Sequence, residues 1–222
     1  MITRILLRIG CIVFGYCFGL IQTAFIIGKI NGIDIREHGS GNSGTTNALR
    51  VMGKKVGAIC FLSDAIKCIV PMVICYFVFR NSSVSDMEPL LRIYIASGVI
   101  LGHNFPFYMG FKGGKGIMAT GGMSVGMGWQ SVLCVASTFF LVFLTTHFVS
   151  LGSLCMYVVF VIVMIVMGAT HTFAMPLSYC IELDIIAVLL MAMAFYRHRG
   201  NIDRLIHKNE RKTYILKKNK VD

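Results

Sequence analysis

The chain has 222 residues, 56% of them hydrophobic and only 14% charged, and carries a net charge of +11. Soluble domains place about 25% charged residues on a polar surface, and a mean hydropathy of +0.74 leaves too few for one, so a membrane protein is expected. The positive charge lies between long apolar runs, where cytoplasmic loops carry Lys and Arg, so nucleic acid is not expected as a partner.

A helix needs ~20 apolar residues to cross ~30 Å of hydrocarbon. Runs of that kind fall at roughly 9–28, 56–79, 93–109, 131–146, 151–168 and 181–196. The first lacks a small-residue cleavage site and reads as a span rather than a removed signal. Between the third and fourth lies 117–128, IMATGGMSVGMG, short and Gly-rich. A single helix over 117–146 would be ~45 Å long, too long without strong tilt. A break near Gly126, Gly128 and Trp129 therefore predicts two segments. The fold class expected is an all-α membrane protein, a bundle of seven helical segments with one short and Gly-rich; six is the alternative. The eight cysteines lie in or beside apolar runs without CxxC or metal-like spacing and read as packing residues. No internal repeat, linker or second domain is evident, so 1–222 reads as one domain.

Orientation follows from the basic residues. The 29–55 stretch, the 110–116 stretch and the tail from 197 hold sixteen of the 21 lysines and arginines, among them Lys217, Lys218 and Lys220 near the end. The 147–150 and 169–180 connections hold none, and 80–92 sets Arg80 and Arg92 against Asp86 and Glu88. Seven segments put the rich stretches on one side, with the N-terminus outside and the C-terminus in the cytoplasm. Six would set the tail opposite 29–55.

Three connections carry chemistry. The first is Gly39-Ser40-Gly41-Asn42-Ser43-Gly44-Thr45-Thr46-Asn47, followed by Arg50. Glycines let successive backbone N–H groups turn toward one anion. The Ser, Thr and Asn side chains add donors, and Arg50 can grip two phosphate oxygens. Gly39, Gly41 and Gly44 also fit GxGxxG, but that fingerprint needs a preceding strand, and an apolar span precedes it here. The second is Gly102-His103-Asn104-Phe105-Pro106, then Gly110-Phe111-Lys112-Gly113-Gly114-Lys115-Gly116. Two lysines among glycines read as a second phosphate cradle. It is not a P-loop, because the glycine spacing is one short and Gly116 stands where Ser or Thr would hold Mg²⁺. The third is His198-Arg199-Gly200-Asn201-Ile202-Asp203-Arg204-Leu205, with Glu210 beyond. Its rival readings are a surface-lying helix and HxxxxD, in which Asp203 would orient His198 as a base. Within the second span, Asp64 and Lys67 lie on one helix face and read as a mutual ion pair, with a proton path as the sharper alternative.

Together these motifs closely resemble the acyl-phosphate:glycerol-3-phosphate acyltransferase family, PlsY, over nearly the whole chain. Ser40-Gly41-Asn42-Ser43-Gly44-Thr45-Thr46-Asn47 and Arg50 match its S-G-N-P-G-A-T-N and later Arg, with Ser43 for Pro and Thr45 for Ala. The second motif matches G-H-x-F-P and F-K-G-G-K-G throughout. The third matches at His198, Asn201, Ile202, Arg204, Leu205 and Glu210, without the Gly the family often has before that Glu, and Asp64 and Lys67 fit its D-x-x-K.

The resemblance implies a bundle of seven helices in the bacterial inner membrane, with the active site at the cytoplasmic face. It implies transfer of a fatty acyl group from acyl phosphate to the sn-1 hydroxyl of glycerol 3-phosphate, the first step of phospholipid synthesis, without metal or cofactor. The partners implied are glycerol 3-phosphate, acyl phosphate, membrane lipid and the enzyme that makes acyl phosphate. Ser40, Arg50, Lys115, His198 and Asn201 are expected to be catalytic. Gly41, Asn42, Gly44, Thr46, Asn47, His103, Lys112, Gly113, Gly114 and Gly116 are expected to bind substrate. The rival class is a transporter of a phosphorylated solute, whose Gly-broken spans and anion-facing helix ends would look alike. Against it, the motifs gather on one face and no paired halves are evident.

Overall fold

The computed structural model describes residues 2–214, so the tail lysines 217, 218 and 220 lie outside the described residues. Among the described residues there are helices and no strands. The helices are α1 (Ile2–Gly19), α2 (Thr23–Ile30), α3 (Thr45–Val51), α4 (Gly53–Phe79), α5 (Glu88–Asn104), α6 (Ile117–Met127), α7 (Trp129–Thr146), α8 (Val149–Ala169), α9 (Leu177–Arg197) and α10 (Arg199–Ile206). Among the described residues, five stretches are long and apolar enough to cross a membrane: Ile2–Ile30, α4, α7, α8 and α9. The outward faces agree, with Leu62, Phe77, Leu141, Leu144 and Leu189 all well exposed, a surface that suits hydrocarbon better than water.

α5 is the axis of the bundle. Fourteen of its seventeen residues are buried, because α1, α4, α6 and α9 all pack on it. The closest approach is to α1. A Cβ on Gly98 would lie 2.1 Å from the carbonyl oxygen of Ile12, and one on Gly15 would lie 2.0 Å from that of Ile95. Those atoms are backbone and cannot swing aside. Small residues four apart on both helices, Gly15 with Gly19 and Gly98 with Gly102, bring the two backbones into contact, as in membrane helix pairs generally.

The 117–146 stretch is two helices. Gly128, at φ +132°, separates α6 from α7 in a conformation that side-chain-bearing residues rarely adopt. The 93–109 run is displaced: α5 starts at Glu88, with Pro89 in its first turn, where its missing N–H costs nothing.

The 9–28 run, by contrast, is not one helix. It breaks between Gly19 and Thr23, and the freed carbonyls are taken by two buried side chains. Gln22 Nε2 donates to the carbonyls of Gly19, Gly102 and His103 at 3.2, 3.3 and 3.0 Å. Lys67 Nζ donates to the carbonyl of Ile21 at 2.8 Å.

Lys67 is also the partner of Asp64, at 2.7 Å, with both side chains almost wholly buried. The pair is thus mutual, and it has a third member: His103 Nδ1 accepts from Lys67 Nζ at 2.8 Å. The opposite end of the bundle is fastened separately. Arg8 grips Glu182 through two nitrogens at 2.6 and 2.7 Å, Tyr94 donates to the same carboxylate at 2.6 Å, and Arg4 reaches Asp86 at 3.0 Å. These contacts join α1, α5 and α9 at the end remote from the glycine-rich loops.

Replacing Lys67 by Met leaves Asp64 charged, buried and unpaired, a loss of about 3–5 kcal/mol in folding stability. A Lys67→Met/Asp64→Asn double variant, which removes both charges, is expected to recover part of that loss in thermal unfolding in detergent.

Candidate active site

All three motifs open onto one cavity of about 930 Å³. The first enters from the 3₁₀ turn Ile35–Glu37 and leaves through α3. Its shape is set by Asn47, which is 1% exposed and spends its amide on the loop. Oδ1 accepts from the Ser40 N–H at 2.8 Å, and Nδ2 donates to the carbonyls of Ile35 and His38 at 3.1 and 2.9 Å. Ser40, Gly41, Asn42, Gly44, Thr45, Thr46 and Asn47 line the cavity; Ser43 is buried behind them. Thr45 Oγ1 donates to Asp64 Oδ2 at 3.3 Å, fixing the loop to α4. At the rim, Asp34 Oδ2 holds Arg36 at 2.8 Å and Lys29 at 3.1 Å. The Arg36 contact keeps the Asp34 carboxyl well below the usual carboxylate range despite burial.

The second motif folds back on the end of α5. The Gly113 and Gly114 N–H groups donate to the carbonyls of Asn104 and His103 at 3.2 and 3.0 Å. Arg197 Nη2 from α9 bonds the carbonyls of Gly113 and Gly114 at 2.9 and 2.7 Å. Lys112, Gly113, Lys115 and Gly116 line the cavity. Gly114 does not: a Cβ there would lie 2.1 Å from His103 Nε2, so it makes room for the imidazole. His103 itself is 3% exposed and sits in the cavity floor beside Asp64. Lys112 is exposed at the mouth, whereas Lys115 lies deeper and donates to Asn201 Oδ1. Burial pushes the Lys115 ammonium down to about 8, with Arg204, Arg197 and Arg50 adding to the effect and Glu210 opposing it.

The third motif caps α9 and opens α10. His198 is 2% exposed. Its Nδ1 lies 2.8 Å from the carbonyl of Ala194, an atom that can only accept, so Nδ1 carries the proton and Nε2 a lone pair. Burial first, then Lys115, lowers this imidazole to about 4. The HxxxxD reading fails on geometry. Asp203 is exposed and lies 3.3 Å from His207 Nδ1, while His198 is oriented by backbone.

Asn201 Nδ2 donates to Glu210 Oε1 at 2.6 Å; Ser150 Oγ reaches the same oxygen at 2.8 Å, and Arg204 Nε reaches Oε2 at 2.8 Å. Burial raises Glu210, but these three donors outweigh it and leave the carboxyl below its ordinary value. Arg50 projects from α3 into the same space and donates through Nη2 to Thr213 Oγ1 at 2.6 Å.

Part of the lining is apolar, contributed by Phe61, Met118, Phe139, Phe140 and Phe143. Phe139 and Phe143, one helical turn apart on α7, stack at 5.8 Å. Sequence reading passed over these phenylalanines, Ser150 and Thr213. Phe139, Phe140 and Phe143 sit in 139–144, where every residue is apolar, and nothing local distinguishes a cavity wall from a lipid face. The arrangement can therefore hold more than one anionic group among Arg50, Lys112 and Lys115, beside an apolar slot.

A family model described as glycerol-3-phosphate acyltransferase matches residues 9–208. A glycerol-3-phosphate acyltransferase of Endomicrobium trichonymphae is 36% identical over 215 residues, 96% of this chain and 99% of that one. One from Clostridioides difficile (strain 630) is 37% identical over 202 residues, 90% and 92% of the two chains. The crystal structure of PlsY, an integral membrane glycerol 3-phosphate acyltransferase, in its glycerol 3-phosphate form matches with a TM-score of 0.80 at 30% identity, covering 94% of this chain and 96% of that one. Its lysophosphatidic acid form gives 0.77 at 29% identity over the same shares. With its family model spanning most of the sequence and its motifs gathered around one cavity, the chain belongs to the glycerol-3-phosphate acyltransferase family.

Proposed function

We propose that this glycerol-3-phosphate acyltransferase takes its acyl group from acyl phosphate and works at the cytoplasmic face of a bacterial inner membrane. The observation that carries the reading is the shared cavity, lined by Arg50, Lys112 and Lys115 and also by Phe139, Phe140 and Phe143. Two phosphate-bearing reactants repel each other. Cations from separate loops offset that repulsion and set the hydroxyl beside the acyl carbon. The apolar wall suits the fatty chain of the donor.

In the proposed reaction the sn-1 hydroxyl oxygen attacks the acyl carbonyl carbon and forms the new ester bond. The bond from that carbon to the phosphate oxygen breaks, and phosphate leaves with the electron pair. Phosphate is a good leaving group, so no protein nucleophile is needed. Arg50 grips a substrate phosphate from the first encounter, and with Lys115 it faces the charge that grows on the carbonyl and leaving oxygens. Ser40, Gly41, Asn42, Gly44 and Thr46 seat one phosphate, and Lys112, Gly113 and Gly116 the other. Asn47 and His103 support the two loops from behind, and Asn201 orients Lys115. His198 holds the hydroxyl through Nε2, and the proton passes to a substrate phosphate oxygen. The acyl phosphate is supplied by a separate enzyme that transfers acyl groups to inorganic phosphate.

Seven segments are proposed to cross or enter the bilayer: α1 with α2, α4, α5, α6, α7, α8 and α9. The N-terminus is then outside and the tail cytoplasmic. A cysteine introduced at Ser83 should react with an impermeant maleimide in intact cells, and one at Lys208 only after lysis; labelling of both from the same side removes the topology.

Purified protein given palmitoyl phosphate and glycerol 3-phosphate should release inorganic phosphate and form 1-acyl-glycerol 3-phosphate. Arg50→Ala should lower turnover by about 10²–10³-fold, the usual cost of one preorganised charge-stabilising donor. Uptake of labelled glycerol 3-phosphate into proteoliposomes without lipid product would instead identify a transporter.

Lys115 must be cationic to act. Its lowered value means the proton is lost as pH rises through about 8, so kcat/KM should fall above that pH. Bound phosphate stabilises the ammonium, so the limb in kcat should lie higher. Lys115→Arg should abolish the limb within the working range, because a guanidinium stays charged.

A further inference from the structure

The tail beyond α10 bonds Arg50 directly and Lys115 only through Asn201 of α10. Glu210 is bonded by Asn201, which accepts from Lys115. Three residues on, Thr213 Oγ1 accepts from Arg50 Nη2 at 2.6 Å, and the carbonyl of Arg211 lies 3.4 Å from the same nitrogen. Three residues of chain reach at most ~10 Å, so Glu210 and Thr213 lie within that distance of each other.

The tail segment is itself anchored to the turn between α7 and α8. The Thr213 N–H donates to the carbonyl of His147 at 2.9 Å, and Ser150 Oγ donates to Glu210 at 2.8 Å. Lys212 lies over the Phe148 ring at 5.7 Å. Thr213 is 1% exposed. Its position is fixed by scaffold contacts that do not involve Arg50, so Arg50 is the member that is oriented.

We propose that Thr213 is a positioning residue for acyl transfer, whose hydroxyl holds the Arg50 guanidinium ready for a substrate phosphate. The inference rests on the reading of Arg50 as a phosphate-binding cation. An arginine left free loses rotamer entropy when it is fixed; one already held does not lose it on binding. A guanidinium carries five donors, so one hydroxyl orients it without using up its capacity for an anion.

The test compares full-length wild type, Thr213→Val and Thr213→Ser by phosphate release, with KM measured for glycerol 3-phosphate and for palmitoyl phosphate. Glycerol 3-phosphate binding by calorimetry reads the same contact independently of turnover. Valine keeps the shape and removes the acceptor; serine keeps the acceptor. Thr213→Val should raise KM for at least one phosphate substrate about tenfold, as expected for a lost hydrogen bond to a charged group. kcat should change less, and Thr213→Ser should stay close to wild type. Unchanged KM values and binding in Thr213→Val overturn the proposal. So does equal impairment of the serine variant, because the hydroxyl is then not what matters, and so does a fall in kcat with both KM values unchanged. Wild type inert toward palmitoyl phosphate would remove the proposed donor, while the calorimetric comparison would still decide the role of Thr213.

Discussion

An ammonium buried among apolar helices is tolerable only if each of its three N–H bonds finds an acceptor. Lys67 meets that condition with Asp64, the Ile21 carbonyl and His103 Nδ1, and much of the site hangs on those three contacts. The Ile21 contact stabilises the break that lets α2 leave the line of α1. Asp64 holds Thr45 at the start of α3, and so reaches the first loop. His103 lies against Gly114, and so reaches the second. A buried ion pair of this kind is weak support for stability alone. Its value here is that one charge, on one helix, sets two loops at a common depth.

The cations around the cavity do not stand alike. Lys29 and Arg36 at the rim share Asp34, which cancels one of their two charges before any substrate arrives. Arg50 and Lys115 are held by uncharged oxygens, those of Thr213 and Asn201. Glu210 stands one residue further from Lys115, with its own hydrogen bonds filled. Neutral partners orient a cation and leave its field for an incoming anion. Burial strengthens that field, at the cost of a Lys115 proton that is easier to lose.

The sequence made the apolar runs, their break at Gly128 and the three loops legible, because span length and glycine content are local properties. It placed α5 badly and missed the break at Leu20–Gln22, since that break depends on Gln22 and Lys67 meeting carbonyls from remote segments. The glycine spacing behind the α1–α5 contact was present too, but a small-residue pattern does not say which helix it faces. Gly114 looked like part of a phosphate cradle; only the packed His103 ring shows why Cβ is excluded there. Thr213 carries no motif, and its contact with Arg50 spans 163 positions. Such a pairing can be read only once the chain has folded.

The tautomer of His198 bears on where the proton of the attacking hydroxyl goes. The Ala194 carbonyl requires Nδ1–H, and the remaining lone pair on Nε2 can accept a hydrogen bond. An imidazole lowered to about 4 is nevertheless a poor place to leave a proton at neutral pH. The second ionisation of a phosphate monoester lies near pH ~6, closer to the working range and therefore better matched to the transfer. In the proposed reaction the substrate carries its own base, and the protein's part is to aim the hydroxyl with Nε2 and to balance charge with Arg50 and Lys115. That division accounts for a site rich in cations and glycines, in which the one buried histidine at the third motif is oriented by a backbone carbonyl rather than by a carboxylate.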